Sequence, residues 1–167
     1  MQVTTDSIRV LRQRTSAGIM DCKRALEEAN GDLEKAEGAL RAKGIVKAAA
    51  KSDRATTEGV IEAYIHAGNR IGAIVEVNCE IDFVARTSEF REMVHDLAMQ
   101  VAAMAPEFVD QGEMPKDDTR RPEEVCLLQQ PFIKDPSRSV SDLVMNVRTQ
   151  VGENVRVHRI ARFSLGE

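Results

Sequence analysis

The residues able to do chemistry in this 167-residue chain are few and scattered. His66, His95 and His158 fall on separate predicted elements at no metal-ligand spacing, so no metal is expected. Cys22, Cys79 and Cys126 are far apart, odd in number and share no CxxC pair, which fits reduced thiols. Cys79 stands beside Glu80 but lacks a base to activate it. A strand cysteine is more often a small core residue, and a thiol hydrolase is the weakest reading. Glu80 and Asp82 make an acidic pair at a strand end, where such groups are usually solvated. No GxGxxG, P-loop or GxSxG pattern occurs. Neither an enzyme nor a bound cofactor is expected.

One segment offers contact rather than reaction. Residues 75–86, VEVNCEIDFVAR, set Asp82-Phe83 where an alternating strand ends and a helix is about to begin. Phe83 is one of five phenylalanines in a chain without Trp, and Glu80, Asp82 and Arg86 flank it. Its ring is either a core anchor, packed at home as a local staple, or a probe for another protein's core.

The elements that position this tip follow from periodicity. Residues 1–45 read as a compact three-helix module. Ile8 and Leu11 mark helix one, capped by Thr5 or Asp6 and broken at Thr15-Ser16-Ala17-Gly18. Ile19, Cys22 or Lys23, and Leu26 carry helix two to Asn30-Gly31, a left-handed stop. Asp32 caps helix three, with Leu33, Ala36 and Leu40 inward and an end at Gly44. Met20, at the start of helix two, either packs inward or faces a partner. So small a module buries little and serves best to present a surface. Residues 46–56 are a linker or an extension of helix three.

From Glu58 the period changes from 3.6 to 2. Ile61, Ala63 and Ile65 alternate with Val60, Glu62, Tyr64 and His66, and Ala67-Gly68-Asn69 makes a hairpin turn. The return strand puts Ile71, Ala73, Val75, Val77 and Cys79 on one face. Ser88 then caps an amphipathic helix of Phe90, Met93, Val94, Leu97, Val101 and Met104, closed by Pro106. Residues 107–124 read as irregular. Ser139 caps a helix with Val140, Leu143, Val144, Val147 and Val151 inward. The last strand alternates Val155, Val157, Arg159, Ala161 and Phe163 against Arg156, His158, Ile160 and Arg162. The fold class is α+β: a three-helix module, then a core domain over 57–167 of three antiparallel strands with helices on one face. A small sheet with free edges invites pairing with a second copy.

Charge narrows the partners. Residues 1–55 carry 11 Lys/Arg and 8 Asp/Glu, and the remainder 12 and 19. No concentrated basic face results, which argues against direct nucleic-acid binding. No apolar run approaches the ~20 residues of a membrane span. The first residues lack the apolar stretch of a signal peptide, so a soluble cytoplasmic chain is expected.

Two long motifs carry a resemblance. TSAGIMDCKRALEEANGD (residues 15–32) and NCEIDFVAR (residues 78–86) resemble, in order and spacing, the two signatures of the bacterial elongation factor Ts family. LLQQPFIKD (residues 127–135) and the closing GENVRVHRIARFSLGE also fit. Ser16, Ile19 and Ile81 depart from the usual Gly, Met and Thr. The segment between Pro106 and Leu127 looks shortened, because the family generally carries a charged helical stretch there. The resemblance implies a ubiquitin-associated-type N-terminal module and a nucleotide exchange factor for elongation factor Tu. Asp82 and Phe83, with Ile81 and Val84 beside them, match the residues that wedge into the partner's GTPase domain and disturb its Mg²⁺/phosphate site. Arg12, Gly18, Ile19 and Met20 match the N-terminal grip on the same domain. A single core repeat implies a homodimer formed through the sheet. The alternative from the residues alone is a non-catalytic adaptor with a helical peptide-binding module and a dimerising sheet, in which Phe83 is buried at home.

Overall fold

The computed structural model describes residues 3–15 and 17–167; Ser16, part of the predicted break, lies outside them. The chain forms two compact units, residues 1–53 with 148–152, and residues 54–147 with 153–167.

The first unit contains α1 (Thr5–Thr15), α2 (Ile19–Glu28) and α3 (Leu33–Ala49). Helix α1 is capped one residue earlier than its sequence suggests. The Ser7 N–H donates to Thr4 Oγ1 at 3.1 Å while the Thr4 N–H donates to Ser7 Oγ at 3.0 Å, so two orphan donors are satisfied reciprocally. Asn30 and Gly31 take φ of 53° and 81°, and the Gly31 N–H closes α2 on the Leu26 carbonyl. Asp32 Oδ1 accepts from the Glu34 and Lys35 amides, capping α3 as read. That helix continues through Gly44 to Ala49: each of its two glycines, Gly38 and Gly44, costs only about 1 kcal/mol, and it ends in the good helix formers Lys47, Ala48 and Ala49. Leu11, Cys22, Ala25, Leu26, Ala36 and Leu40 form the buried cluster, with Ile8 and Leu33 at its margin.

The second unit is built on β1 (Glu58–Ile65), β2 (Ile71–Cys79) and β5 (Val155–Ser164), ordered β1-β2-β5 and antiparallel. Gly68 and Asn69, at φ of 90° and 55°, turn the hairpin. Between β2 and β5 lie α4 (Asp82–Ala85), α5 (Ser88–Met104), α6 (Pro122–Val125), the hairpin β3 (Pro131–Phe132) with β4 (Asp135–Ser139), and α7 (Val140–Val151). Ala73, Val75, Val77 and Cys79 are buried beneath Phe90, Met93, Val94, Leu97 and Val101 of α5, so the alternation of β2 holds along its length. Met104 is exposed instead of inward, in the last turn of α5, which closes on a left-handed Ala105 whose N–H donates to the Val101 carbonyl. Thr87, not Ser88, is that helix's cap, its Oγ1 accepting from the Phe90 N–H at 3.4 Å.

The last strand departs from simple alternation. Its register against β2 shifts between Glu76 and Val77, where one residue, His158, is extra. A bulge of this kind flips every later side chain to the other face. Val155 and Val157 therefore point inward with Val77 and Cys79, while Arg159, Ala161 and Phe163 join Ile61, Ala63, Ile65 and Ile74 on the open face.

Residues 107–126 are more ordered than their composition suggests. Phe108 and Cys126 form a parallel bridge, the Glu107 and Phe108 amides donate to the Val125 carbonyl, and the Leu127 amide donates to Phe108 O. Arg120 pairs with both Glu107 and Asp118. The β3–β4 hairpin is anchored from below: Gln100, buried in α5, donates to Gln130 Oε1 and Pro131 O and accepts from the Ile133 N–H.

Candidate functional site

The predicted tip is a single helical turn, α4, between the end of β2 and the start of α5. Ile81 leaves β2 in an extended conformation, and the Thr87 N–H returns to the Val84 carbonyl at 3.0 Å. Successive residues of a helix rotate by about 100°, so one turn divides its side chains between two environments. Phe83 is 71% exposed and Ile81 47%, with Asp82 beside them, whereas Val84 is 4% exposed and buried with Ala85. Val84 thus lies within the chain's own core, the root of the tip rather than its contact surface. Asp82 and Arg86 pair at 2.6 Å, but both are exposed, and such a pair contributes at most about 0.5 kcal/mol.

Glu80, read from sequence as a solvated acid, is held beneath the tip. Its side chain is 14% exposed and accepts from the Asn154 N–H at 2.7 Å and from the Arg54 guanidinium at 3.2 Å. The Asn154 N–H, then the Arg54 guanidinium, hold its carboxyl below the usual carboxylate range. Asn154 Nδ2 donates to the Arg54 carbonyl at 2.9 Å. Neither Arg54 nor Asn154 was singled out from the sequence. The only signal there is the Gly152-Glu153-Asn154 turn before β5, which says nothing of its partner. Cys79 is buried and its Sγ lies 3.2 Å from the Ile81 carbonyl; burial pushes its thiol up, away from nucleophilic use.

In the first unit, Gly18 is the extended residue before α2 (φ −62°, ψ 148°), and Ile19 and Met20 open that helix. They are 55% and 65% exposed, while the inner face of α2 begins at Cys22. Ile19 therefore does not carry the module's core, and Met20 faces outward. Arg12 is exposed on α1. The structure thus presents Phe83, Ile81 and Asp82 together on one unit, and Ile19 and Met20 together on the other.

The site offers apolar contact surface in place of converged reactive groups, and the comparisons with known proteins say what kind of chain carries it. A family model described as elongation factor TS matches residues 44–124. Elongation factor Ts of Carboxydothermus hydrogenoformans is 46% identical over 195 aligned positions, spanning 99% of this chain and 90% of that protein. The elongation factor Ts of Moorella thermoacetica is 43% identical, spanning 99% and 96%, and that of an Anaeromyxobacter strain 44%, spanning 99% and 90%. The class is that of the translation elongation factors. Within it, the chain belongs to the elongation factor Ts family. Since the alignments run over 195 or 196 positions, the relatives fill roughly 30 that this 167-residue chain does not.

Proposed function

We propose that this chain is the guanine nucleotide exchange factor of elongation factor Tu. In this reading Phe83 is the wedge, with Asp82 and Ile81 at its edge and Val84 as its anchor. The observation that carries it is the exposure of Phe83: a large ring on a short, internally rooted turn, facing solvent in the isolated chain. The adaptor alternative required that ring to be packed at home. Inserted between helices of the partner's GTPase domain, the ring shifts elements near the Mg²⁺ and the β-phosphate, whose mutual attraction is a large part of the hold on GDP. No bond is made or broken, so the factor is not an enzyme in the covalent sense. Its effect is a coupling: whatever it subtracts from nucleotide affinity, nucleotide subtracts from its own.

Arg12, Gly18, Ile19 and Met20 form the second grip on the same domain, carried by a module of the ubiquitin-associated type. The open sheet face, with Ile61, Ile65, Ile74 and Phe163 exposed, is covered by a second copy to give a homodimer. Sedimentation equilibrium tests that point, with Ile74→Asp expected to shift dimer toward monomer. The cytoplasm is the compartment this role requires, and among the described residues no helix is long and apolar enough to cross a membrane. The decisive test is release of fluorescent GDP from purified elongation factor Tu. Acceleration by substoichiometric amounts of the chain is expected; no acceleration by a folded sample refutes the reading.

A further inference from the structure

We propose that Glu80, Arg54 and Asn154 form a polar clamp whose task is to hold the Phe83 turn pointing outward. The inference rests on the wedge reading above and concerns how the wedge is kept ready. A four-residue helical turn does not hold its own shape, since isolated helices shorter than about 12 residues are marginal in water. The amide contacts at its two ends are short-range, from Val84 to Ile81 O and Arg86 to Phe83 O at 3.2 Å and from Thr87 to Val84 O at 3.0 Å, and none reaches beyond the turn. Its one ion pair is exposed. Against this stands the tendency of an exposed aromatic ring to fold back onto the nearest apolar surface.

What resists that collapse is fixed just before the turn. Glu80 receives two hydrogen bonds from points far apart in sequence: the backbone of Asn154 ahead of β5, and Arg54, where the chain enters its second unit. Asn154 closes the ring by donating to the Arg54 carbonyl. Glu153 also lies against the Glu80 carboxyl. An apolar residue here would secure the end of β2 by packing alone. A carboxylate held by directional, charge-assisted bonds also fixes rotation about the strand end, and so the direction in which the following residues leave. Glu80, Arg54 and Asn154 are positioning residues in this scheme, and the tip's contact is made by Phe83 with Asp82 and Ile81 at its edge.

The test uses the whole chain and two readouts. In the free protein, Glu80→Ala is expected to speed amide-proton exchange at Val84 and Arg86 about tenfold, with α5 unaffected. With elongation factor Tu, the same variant is expected to lower the maximal GDP-release rate about fivefold or more, with the half-saturating concentration within about twofold. Glu80→Gln keeps an acceptor for the Asn154 N–H and is expected to recover most of the rate. Arg54→Ala removes one bond from a surface residue and keeps the test alive should Glu80→Ala not fold; its tip amides should exchange about threefold faster. Unchanged tip amides in the folded variants overturn the clamp. So do faster amides with a native release rate when Phe83→Ala is slow. If Phe83→Ala itself releases GDP normally, the wedge reading fails first, and the clamp loses its purpose whatever the amides do.

Discussion

Truncating Phe83 to Ala separates a contact residue from a core residue by sign and size. With 71% of its surface exposed, the ring contributes little to the chain's own stability. Surface substitutions of this kind stay within about 0.5 kcal/mol, which for a chain of this size is a change of about 2 °C or less in Tm. Burying the same ring in a partner is worth about 1.5–3 kcal/mol, so its loss should slow GDP release roughly ten- to a hundredfold. A core phenylalanine behaves in the opposite way: its truncation costs about 3–5 kcal/mol, or roughly 6–20 °C. The assay pairs a thermal melt of the free chain with stopped-flow release of fluorescent GDP from elongation factor Tu. Native melting with slowed release is the expected result. A Tm lowered by many degrees with release intact would refute the reasoning outright.

Gly59, the second residue of β1, sits at φ 155°, and a Cβ there would stand 2.2 Å from the Val77 carbonyl oxygen. Gly59→Ala should therefore cost at least about 1–3 kcal/mol in urea denaturation, and an unchanged midpoint would mean the strands do not approach so closely. Gln100→Leu strips the acceptor from the Ile133 N–H and a donor from Gln130 and Pro131; at least about 2 kcal/mol of destabilisation is expected by the same measurement. Arg120 pulls the Asp118 carboxyl down to about 2 from 3.8. Because the folded value is the lower one, the stabilisation is present above pH ~4 and is lost as pH falls toward 2. Carbon-detected NMR titration should find that midpoint near 2 and see it rise in Arg120→Ala, while staying below the ordinary carboxylate value because the residue-120 N–H still donates to Asp118 Oδ1.

Local rules made most of this fold legible. The change of period at Glu58, the Asn30-Gly31 stop and the Asp32 cap each depend on residues within one turn of themselves, and each sits where the sequence places it. What escaped depends on distant partners. The His158 bulge is invisible without β2 beside it, and it reverses the facing of Arg159, Ala161 and Phe163. Residues 107–126 look irregular because their order comes from Arg120 reaching Glu107 and Asp118, and from a bridge between Phe108 and Cys126. The tip was legible as a motif but not as geometry. Adjacency in sequence grouped Val84 with Phe83, whereas one helical step sends one inward and the other out. Glu80 looked solvated because its donors lie 26 and 74 residues away.

The same long-range order explains how the chain tolerates being short. Its resemblance to the family puts the shortfall between Pro106 and Leu127, and the two sides of that interval already meet. Phe108 bridges Cys126, and the Leu127 and Leu128 amides donate to Phe108 O and Val109 O. A segment that leaves and returns at adjacent points can be shortened without opening the core between them, and each halving of such a loop relieves only about 0.6 kcal/mol of closure entropy. Nothing in the rooting of the tip passes through that interval. Phe83 stands on Val84, Ala85 and the Glu80 bonds to Arg54 and Asn154, all outside it. The apolar groups left in solvent (Phe83 and Ile81 on the tip, Ile61, Ile74 and Phe163 on the open face) add little to the isolated chain. Their free energy is available only on association, and a segment remote from their support can vary in length without touching it.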